Sequence, residues 1–484
     1  MNILLINTPF LPKKLVVSRQ ERISVAPPLG ICYLSSYLKN KGHNVKLLDL
    51  DVELYSRNYT NDVFDLIGSV MDGIDLVGVS CLMSTRYKQA HSIAKIVKSI
   101  KDVPVVFGGN YPTNSPELAL KDENVDFVVL GEGEKVFYNL LCSLKTPELV
   151  SGIAYKSDGI KINPRKDSDF IQDLDVLPFP DYDSLPIEKY FSLGMSQSLE
   201  GNFRFFSLFT SRGCPRNCIF CGAHNTFGRR FRERSTQNVL DEIDWLIRKY
   251  QVEELQFQDD NLTLNRKRAE EILEGIKRRH IPWTIPNGLD TNTLDKNLLE
   301  KIKQSGGRDI CIAVESGNQR VLQMIHKHIN LDKIKGLVKD MRDLEIYSKA
   351  FFMLGFPGET KKEMYDTVNY AFMLKADWAM FSIVNPLPGT EMYKVADIVG
   401  DMDNIGYSNA NIKTDEFTPK EVEDLVDEAN ININFIHNYN LNGGNLDWAI
   451  RDFKRIAERY PEHIVARESL KKAYESLHSS RVRD

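Results

Sequence analysis

Short apolar runs alternate with amphipathic segments along the first 150 residues. Each run ends in a proline, a glycine or a polar residue, which is typical of buried strands. Helical patterns lie between the runs, at 29–41 and from about 86 to 101. Strands that alternate with helices predict a parallel, doubly wound sheet, and therefore an α/β fold. The predicted strands are 2–7, 45–49, 75–80, 103–107 and 127–130.

The turns after these strands are candidate binding sites, because ligands of doubly wound sheets bind beyond the carboxyl ends of the strands. Several turns carry glycine, which lets a backbone approach a large ligand closely. The same glycines could simply cap the strands, and Gly131-Glu-Gly-Glu134 lacks the third glycine of a dinucleotide fingerprint. The candidate residues in these turns are Pro9, Ser80, Gly108, Gly109, Gly131 and Gly133.

The same alternation of strand and helix returns between residues 201 and 400. The predicted strands there end in polar or glycine-bearing turns. Repeated β/α units of this kind favour a barrel whose site lies at the carboxyl ends of its strands. The predicted strands are 205–210, 254–258, 310–314, 350–354 and 380–384.

Two stretches of different character flank this core. A hairpin pattern around Ser157-Asp-Gly159 and the proline-rich segment 177–183 indicate a connector between domains. A helical pattern at 447–460 and a helix opened by Pro461 indicate a small helical cap, which could close the barrel mouth. The predicted regions are a sheet domain at 1–150, a connector at 151–200, a core at 201–400 and a helical region at 401–484.

Composition narrows the class of protein. A chain of 484 residues has room for about three domains. Its net charge of −5, from 62 basic and 67 acidic residues, indicates neither a nucleic-acid nor a membrane-surface partner. No apolar stretch reaches the ~18 residues of a membrane span, and Met1–Asn7 lacks the basic region of a signal peptide. The chain has seven cysteines, and this odd number argues against a disulfide framework. We therefore expect the protein to be located in the cytoplasm, where conditions are reducing.

Three of the cysteines, Cys214, Cys218 and Cys221, lie close together after a predicted strand. Thiolates select zinc, copper(I) or iron–sulfur clusters. A four-iron cluster held by three thiolates keeps one iron open for chemistry, whereas a structural site is closed. With His224 as a fourth ligand, the same cysteines could instead form a Cys3His zinc site. They could also be buried without any metal.

The spacing Cys-x3-Cys-x2-Cys, with Phe220 before the last cysteine, resembles the signature of the radical S-adenosylmethionine (SAM) superfamily. The resemblance implies a 4Fe-4S cluster on the three cysteines, with SAM chelated at the open iron. In that family an electron from the cluster cleaves SAM to a 5′-deoxyadenosyl radical, which abstracts hydrogen from a substrate. The resemblance also implies a partial (β/α)6 barrel, a reductant such as flavodoxin or ferredoxin, and a small-molecule or natural-product substrate.

The resemblance extends to the strand ends of the core. Residues 259–261 fall where the family contacts the amino end of SAM, and Glu315 falls in its Glu-Ser-Gly motif. Residues 259–261 could instead cap a helix at 265–277, and Gly355 could only mark a turn. The SAM-binding residues that the resemblance implies are Asp259, Asp260, Asn261, Glu315, Gly355 and Pro388.

Four arginines follow the cysteines, between Gly228 and Arg234. A guanidinium group suits a carboxylate, such as that of SAM or of an anionic substrate. We expect most of the four to be solvated and to neutralise the acidic helix that follows. The resemblance implies that Arg234 is the best ordered of them.

The N-terminal region resembles the cobalamin-binding domain that precedes many radical SAM cores. Val106-Phe-Gly-Gly-Asn-Tyr-Pro112 and Val129-Leu-Gly-Glu-Gly-Glu134 carry this resemblance, which implies that cobalamin binds at the turn residues named above. The Asp-x-His-x-x-Gly loop of some cobalamin proteins is absent, and His91 lies in a predicted helix. We therefore expect no histidine below the cobalt, while Met83 and Tyr111 lie in loops that could face cobalamin.

These resemblances imply a cobalamin-dependent radical SAM enzyme that transfers a methyl group to an unactivated carbon. The same scaffold could instead support cyclisation, dehydration or rearrangement without methyl transfer. A cobalamin-binding sensor or carrier with a structural metal site is an alternative of another class. A zinc-stabilised interaction protein is the last alternative.

Overall fold

Two sheets organise the computed structural model, which describes residues 1–10, 25–56, 62–82, 84–193, 204–400 and 409–481. The first sheet has seven strands. In chain order, β1 to β7 are Asn2–Asn7, Asn44–Asp49, Leu76–Ser80, Val105–Gly108, Phe127–Val129, Ile153–Ser157 and Gly159–Asn163. Their spatial order is β2-β1-β3-β4-β5-β6-β7.

The first five strands are parallel and are covered by helices on both faces. The helices α1 to α7 are Leu29–Asn40, Leu50–Tyr55, Val63–Gly68, Tyr87–Ile100, Asn110–Asn114, Pro116–Leu120 and Gly133–Cys142. Buried side chains pack against α3 and α4 on one face, and against α1 and α7 on the other. The strand order reverses between β1 and β3, and a doubly wound sheet binds its ligands at such a point.

The hairpin that we placed in the connector belongs to the first sheet. Strand β6 pairs antiparallel with β5, in a register that sets Phe127 opposite Tyr155, and β7 then forms the edge. The predicted turn at Ser157-Asp-Gly159 is the turn observed between β6 and β7. Its pairing with β5 is a tertiary contact, which the local pattern of the hairpin does not contain.

The second sheet has six parallel strands, which neighbour one another in chain order. They are β8 at Phe205–Leu208, β11 at Glu254–Phe257, β12 at Trp283–Leu289, β13 at Gly307–Glu315, β14 at Tyr347–Leu354 and β15 at Trp378–Ile383. Between β8 and β11, the short strands β9 (Ser211–Arg212) and β10 (Arg232–Glu233) pair with each other. This is the expected partial barrel.

Strand β12 was not among the strands that we predicted. Pro286 and Gly288 interrupt its apolar pattern, and both residues normally weaken a strand. The pairing of β12 with β13 shifts register between Ile285 and Leu289, so the irregularity accommodates them. A strand with a bulge therefore completes the six.

Helices connect the strands of the second sheet. They are α9 at Ala223–Phe227, α10 at Thr236–Tyr250, α11 at Arg266–Lys277, α12 at Lys296–Gln304, α13 at Gln319–Met324, α14 at Leu331–Asp343, α15 at Lys361–Leu374 and α16 at Glu391–Val395. Helix α8, at Ile187–Leu193, precedes the sheet. The sequence predicts Ser235 as the N-cap of a helix at 239–250, and this is confirmed, because the Ser235 hydroxyl accepts a hydrogen bond from the backbone of Asn238.

The last two C-terminal helices lie at the amino ends of the barrel strands. Helix α17 is Pro419–Ile431, a π-helical turn follows at Asn432–Ile436, and α18 and α19 are Leu446–Arg459 and Ile464–Arg481. Helices α18 and α19 pack against Tyr347 and Trp378, which begin β14 and β15, so they cover the amino ends of the strands. The predicted helical C-terminal region is confirmed, but α18 and α19 lie at the end of the barrel opposite the mouth, and α19 begins after Pro461 rather than at it.

Helix α17 and the turn after it close the edge of the second sheet. The side-chain amides of Asn430 and Asn434 exchange hydrogen bonds with the backbone of Phe381 and Ala379 in β15, at 2.6–3.1 Å. These amides satisfy backbone groups that an uncovered edge strand would expose. Within the described part of the chain, no helix is both long and apolar enough to cross a membrane.

Candidate active site

The three cysteines of the motif lie in an irregular loop between β9 and α9. Gly213 begins this loop with a φ of +84°, and a side chain there would collide with the carbonyl of Arg230. The loop is fixed from two sides: Ile219 donates to the carbonyl of Ile325 at 3.2 Å and accepts from the backbone of Met392 at 3.0 Å. The segments that follow β13 and β15 therefore hold the cysteine loop near the carboxyl ends of the strands.

The chemistry of the three thiols fits metal ligation. Burial raises the pKa of Cys214 and Cys218 above the ordinary value, and it raises the pKa of Cys221 to about 11. The protein by itself therefore keeps these groups as neutral thiols rather than as reactive thiolates. A bound cation supplies the missing positive charge, because it displaces the proton from a coordinating thiol.

A zinc site and an iron–sulfur cluster require different spacings of their sulfur ligands. A single zinc ion would hold sulfur ligands about 4 Å apart, given Zn–S bonds of about 2.3 Å in a tetrahedral site. Among the described residues, which include the motif cysteines and His224, no three histidine, cysteine or acidic side chains gather around one ion. A polynuclear cluster binds each thiolate to a different iron, so its ligands can stand farther apart.

Two adjacent aspartates at the end of β11 have different roles. Asp259 is buried and accepts hydrogen bonds from the backbone and hydroxyl of Thr210, at 2.9 and 2.7 Å, and from the Ser211 hydroxyl at 2.5 Å. Asp260 is exposed as a residue, but its carboxylate is partly desolvated and accepts a hydrogen bond from the backbone of Gly213. After burial, the charge of Asp260 contributes to the raised pKa of Cys214 and Cys221, so it lies near the cysteine loop. Asp259 thus fixes the strand that leads into the cysteine loop, while Asp260 is available to a ligand.

The environment of Asp260 is partly desolvated. Its surroundings and the charge of Asp259 raise the pKa of Asp260 to about 6. Next to it, Asn261 is buried and its side-chain oxygen has no hydrogen-bond partner in the described structure. The capping alternative for residues 259–261 is wrong, because Asn265 caps α11 by accepting from the backbone of Arg268.

Glu315 ends β13 beside a lysine that sequence reasoning missed. Its backbone has a φ of +69°, and its carboxylate lies 3.2 Å from Nζ of Lys327. The Lys327 charge acts against the burial that raises the pKa of Cys218, so this ion pair borders the cysteine loop. Lys327 follows α13 and belongs to no motif, and only the fold brings it here.

The remaining predicted SAM residues have packing roles in the structure. Gly355 has a φ of +94°, and a side chain there would stand 2.9 Å from Val422 of α17. Pro388 is buried in the turn before α16. A contact of either residue with SAM stays a prediction.

On the first sheet, the ends of β1, β3 and β4 lie side by side. Thr8 donates to the carbonyl of Ser80 through its backbone and its hydroxyl, at 3.1 and 2.7 Å. Gly108 faces open space, with no atom within 4 Å of the position of a side chain. Gly109 has a φ of +103°, and a side chain would collide with the backbone of Cys81. The Gly108 turn is therefore shaped for close approach by a large ligand.

The turn at Gly131-Glu-Gly-Glu134 is used differently. The side chain of Arg165 stands 2.6 Å from the position of a side chain on Gly131, so protein fills that space. Glu134 accepts from Arg212 at 2.7 Å, and Glu132 lies 3.4 Å from the same guanidinium group. Arg232 is also paired with Glu132.

These four charged side chains form an interdomain clamp: Arg212, Arg232, Glu132 and Glu134, all of them buried. The clamp fastens a strand end of the first sheet to β9, which leads into the cysteine loop. Sequence reasoning missed it, because nothing in the local pattern pairs residues about 80–100 positions apart.

The expectation that most of the post-cysteine arginines are solvated was wrong for two of the four. Arg232 and Arg234 are buried, and Arg234 pairs with Glu242, whereas Arg229 and Arg230 are exposed. The expected order of Arg234 agrees with its burial and its contacts.

Both sheets present their strand ends to a common junction. Asn110, which follows the Gly108–Gly109 turn, lies 3.4 Å from the Thr226 hydroxyl of α9. Asn225 of α9 donates to Asn114 at 2.7 Å and to the carbonyl of Gly389 after β15 at 2.9 Å. The turn after β4, the helix after the cysteines and the turn after β15 are therefore hydrogen-bonded to one another.

His91 has both ring nitrogens engaged. Nδ1 lies 2.6 Å from Asp122 and Nε2 lies 2.9 Å from the hydroxyl of Tyr111. A histidine bonded on both sides is not free to coordinate a metal in this arrangement. Tyr111 is itself buried, and Met83 lies outside the described residues.

Comparison with known proteins identifies the family of each of the two regions that meet at this junction. The family model described as Radical SAM superfamily matches residues 208–371, and the one described as B12 binding domain matches residues 18–141. The uncharacterized methyltransferase PH0819 of Pyrococcus horikoshii is 33% identical, over 84% of this chain and 88% of that protein. The cytidylyl-2-hydroxyethylphosphonate methyltransferase of Streptomyces wedmorensis is 32% identical, over 76% of this chain and 77% of that protein.

Solved structures share the architecture. The cobalamin-dependent SAM radical enzyme OxsB, with aqua-cobalamin and SAM bound, superposes with a TM-score of 0.69 at 18% identity, over 99% of this chain and 71% of that chain. The chain belongs to the radical SAM superfamily, among the members that carry a B12-binding domain before the radical SAM core. The predicted fold class is confirmed, and the predicted cofactors (a 4Fe-4S cluster, SAM and cobalamin) are those of this family.

Proposed function

We propose that this protein is a cobalamin-dependent radical SAM methyltransferase that acts on an unactivated carbon of a small molecule. The observation that carries the proposal is the junction: the cysteine loop and the open turn at Gly108 are joined through Asn110 and Thr226. Methyl transfer of this kind needs the radical-forming group and the methyl donor on the same substrate, and a shared junction provides that arrangement. The methyltransferase relatives support the same reaction class.

The residues of the chain divide the work of binding. Cys214, Cys218 and Cys221 would hold the cluster, and the carboxylate of Asp260 would accept the amino group of SAM. When bound, the cluster and SAM supply hydrogen abstraction and cobalamin supplies the methyl group. The buried clamp and the hydrogen-bonded asparagines hold the two strand ends together.

The partners follow from this chemistry. We infer that the substrate is a small molecule or natural product and that the electron donor is a low-potential protein such as flavodoxin or ferredoxin. A cluster with an open iron is sensitive to oxygen, so we also propose that the protein works in the reducing cytoplasm.

Anaerobic reconstitution with iron, sulfide and hydroxocobalamin tests the proposal. We expect bound iron and sulfide in equal amounts, one cobalamin per chain, and formation of 5′-deoxyadenosine when SAM and dithionite are added. Conversion of reduced cobalamin to methylcobalamin by SAM tests methyl transfer without knowledge of the substrate.

The same assays separate the alternatives. Deoxyadenosine formation without methylation of cobalamin would favour cyclisation, dehydration or rearrangement. Bound cobalamin without SAM cleavage would favour a sensor or carrier. Zinc without sulfide would favour an interaction protein and would contradict radical chemistry.

A further inference from the structure

Three exposed arginines lie in or beside the cysteine loop. Arg216 lies between Cys214 and Cys218, and 44% of its side chain is accessible. Arg229 and Arg230 are exposed as well, on the segment that returns toward β10. Arg229 donates to the carbonyl of Arg216 at 3.3 Å, and the backbone of Arg230 packs on Gly213. The three side chains thus come from two segments in direct contact.

Arg229 and Arg230 differ from their neighbours in the same short run. Arg232 and Arg234 are buried with carboxylate partners, and Arg212 is buried with two. No ion pair within the described parts of the chain involves Arg229 or Arg230, while Arg216 is paired with Asp290 at 2.6 Å. The buried arginines are therefore neutralised by carboxylates, whereas Arg229 and Arg230 lie at the surface without a carboxylate partner among the described residues.

The positive charge is local. The chain as a whole has a net charge of −5, so a cationic surface is not a general property of this protein. His224 lies two positions before Thr226. Burial lowers the pKa of His224 most, and the positive charges of Arg229 and Arg165 lower it further. These positive charges therefore act at His224, three positions after Cys221, whereas the acidic groups Asp260 and Asp290 lie near Cys214.

We propose that Arg216, Arg229 and Arg230 form a docking surface for a small acidic electron-transfer protein that reduces the cluster. The inference rests on the proposed function and names the surface that its electron donor uses. The step moves one electron: the reduced donor is oxidised by one electron, the cluster gains it, and no bond is formed or broken. Arg216 is two residues from both Cys214 and Cys218. A donor bound to this surface would therefore contact the same loop that carries the cluster ligands.

Electrostatics suits such an encounter. Complementary charge accelerates association, and its effect falls as salt screens the charges. Electron-transfer complexes are weak and their interfaces are small, below about 1,200 Å². A few unpaired arginines beside the cluster therefore suffice for a transient partner, and a large apolar interface is not required.

The double substitution Arg229→Gln with Arg230→Gln tests the surface. Photoreduced flavodoxin, and in parallel reduced ferredoxin, would drive SAM cleavage at limiting donor concentration. We expect the second-order rate with either donor to fall by about tenfold, and its salt dependence to flatten, because the steering charge is lost. With dithionite in place of the protein donor, the rate should equal that of wild type.

A matched control removes two exposed cations elsewhere, Arg278→Gln with Lys454→Gln. Arg278 directly follows α11 and Lys454 lies on α18, both away from the cysteine loop. It should leave both donor-driven and dithionite-driven rates unchanged. Equal donor kinetics for the two double variants would overturn the docking surface. So would a parallel loss of the dithionite rate in R229Q/R230Q, since the arginines would then support the loop. Failure of dithionite to drive SAM cleavage in wild type would instead overturn the proposed function.

Discussion

The two sheets present similar strand ends to the junction but use them differently. In the second sheet, Asp259 is buried to hold the strand before the cysteine loop, while its neighbour Asp260 stays accessible. In the first sheet, the side chain of Arg165 fills the space beside Gly131, while the space beside Gly108 is open. Each edge thus combines a residue that fixes the loop with one that is available to a ligand. Residues of the same type at adjacent strand ends can therefore have opposite roles, and only their contacts distinguish them.

The largest expected effect separates the chemistry of the two edges. Replacing Cys218 with alanine should reduce bound iron and SAM cleavage to background, because a cluster with two protein thiolates is not retained. Binding of hydroxocobalamin should persist, since its predicted residues lie on the other sheet. Iron analysis, deoxyadenosine assay and cobalamin titration measure these quantities.

The matched control for this variant is Cys142→Ser, an exposed cysteine on α7 outside the motif. It should retain both iron and activity. Loss of cobalamin binding in Cys218→Ala at unchanged folding would contradict the independence of the two edges.

The next effect concerns the clamp between the edges. Arg212→Met should lower the free energy of unfolding by about 3–5 kcal/mol, because it leaves Glu134 buried without its partner. Chemical denaturation measures the loss. Lys361→Met, which removes one partner of an exposed ion pair with Glu421, should cost at most about 1 kcal/mol. Equal losses in the two variants would show that the clamp does not couple the sheets.

A smaller effect distinguishes the two aspartates. Asp259→Asn should cost about 1–3 kcal/mol of stability, because the amide cannot accept all the donors of Thr210 and Ser211. Asp260→Asn should not lower stability and should raise it above about pH 6, because it removes a carboxylate whose ionisation is disfavoured by burial and by Asp259. It should instead weaken SAM binding to the reconstituted protein by about tenfold, through loss of a charge-assisted hydrogen bond.

Urea unfolding and calorimetric titration with SAM measure the two properties. The reverse pattern, in which Asp259→Asn affects only SAM binding and Asp260→Asn only lowers stability, would exchange the roles that we assign.

The smallest effect lies within the first sheet. Burial, and then the charge of Asp51, raise the pKa of Asp49 to about 7, against hydrogen bonds from Tyr190 and Asn7. The folded state therefore retains a proton that the unfolded state has lost, so the contribution of Asp49 to stability falls as pH rises toward and through 7. Between about pH 6 and about pH 8 the loss should be about 1 kcal/mol.

The difference between wild type and Asp49→Asn in urea isolates this contribution, because the amide does not titrate. A difference that stays constant with pH, or that changes in the opposite direction, would contradict the raised pKa.

The sequence predicted local features well. Apolar periodicity predicted the parallel first sheet. Residues a few positions apart were sufficient to predict the cysteine loop after a strand and the N-cap at Ser235. Strand β12 was missed because Pro286 and Gly288 break the period. A bulge that accommodates them depends on the neighbouring strand, which no local pattern reveals.

The misses at the site have the same cause over longer distances. Lys327 reaches Glu315 and the cysteine loop only because α13 returns the chain to the barrel end. Arg232 belongs to a run of arginines that was expected to be mostly solvated, and it is buried because Glu132, beside the first sheet, neutralises it. The C-terminal helices carry an apolar face, but the pattern does not say which end of the barrel that face covers. Tertiary partners decide each of these outcomes.

The central claim is that both cofactors meet at the junction where the two sheets present their strand ends. Pulsed EPR on protein that holds cob(II)alamin and the one-electron-reduced cluster measures the magnetic dipolar coupling between them. The account predicts a resolved coupling in the wild-type protein, which disappears in Cys218→Ala. Two independent spectra without coupling, at full occupancy of both cofactors, would contradict it.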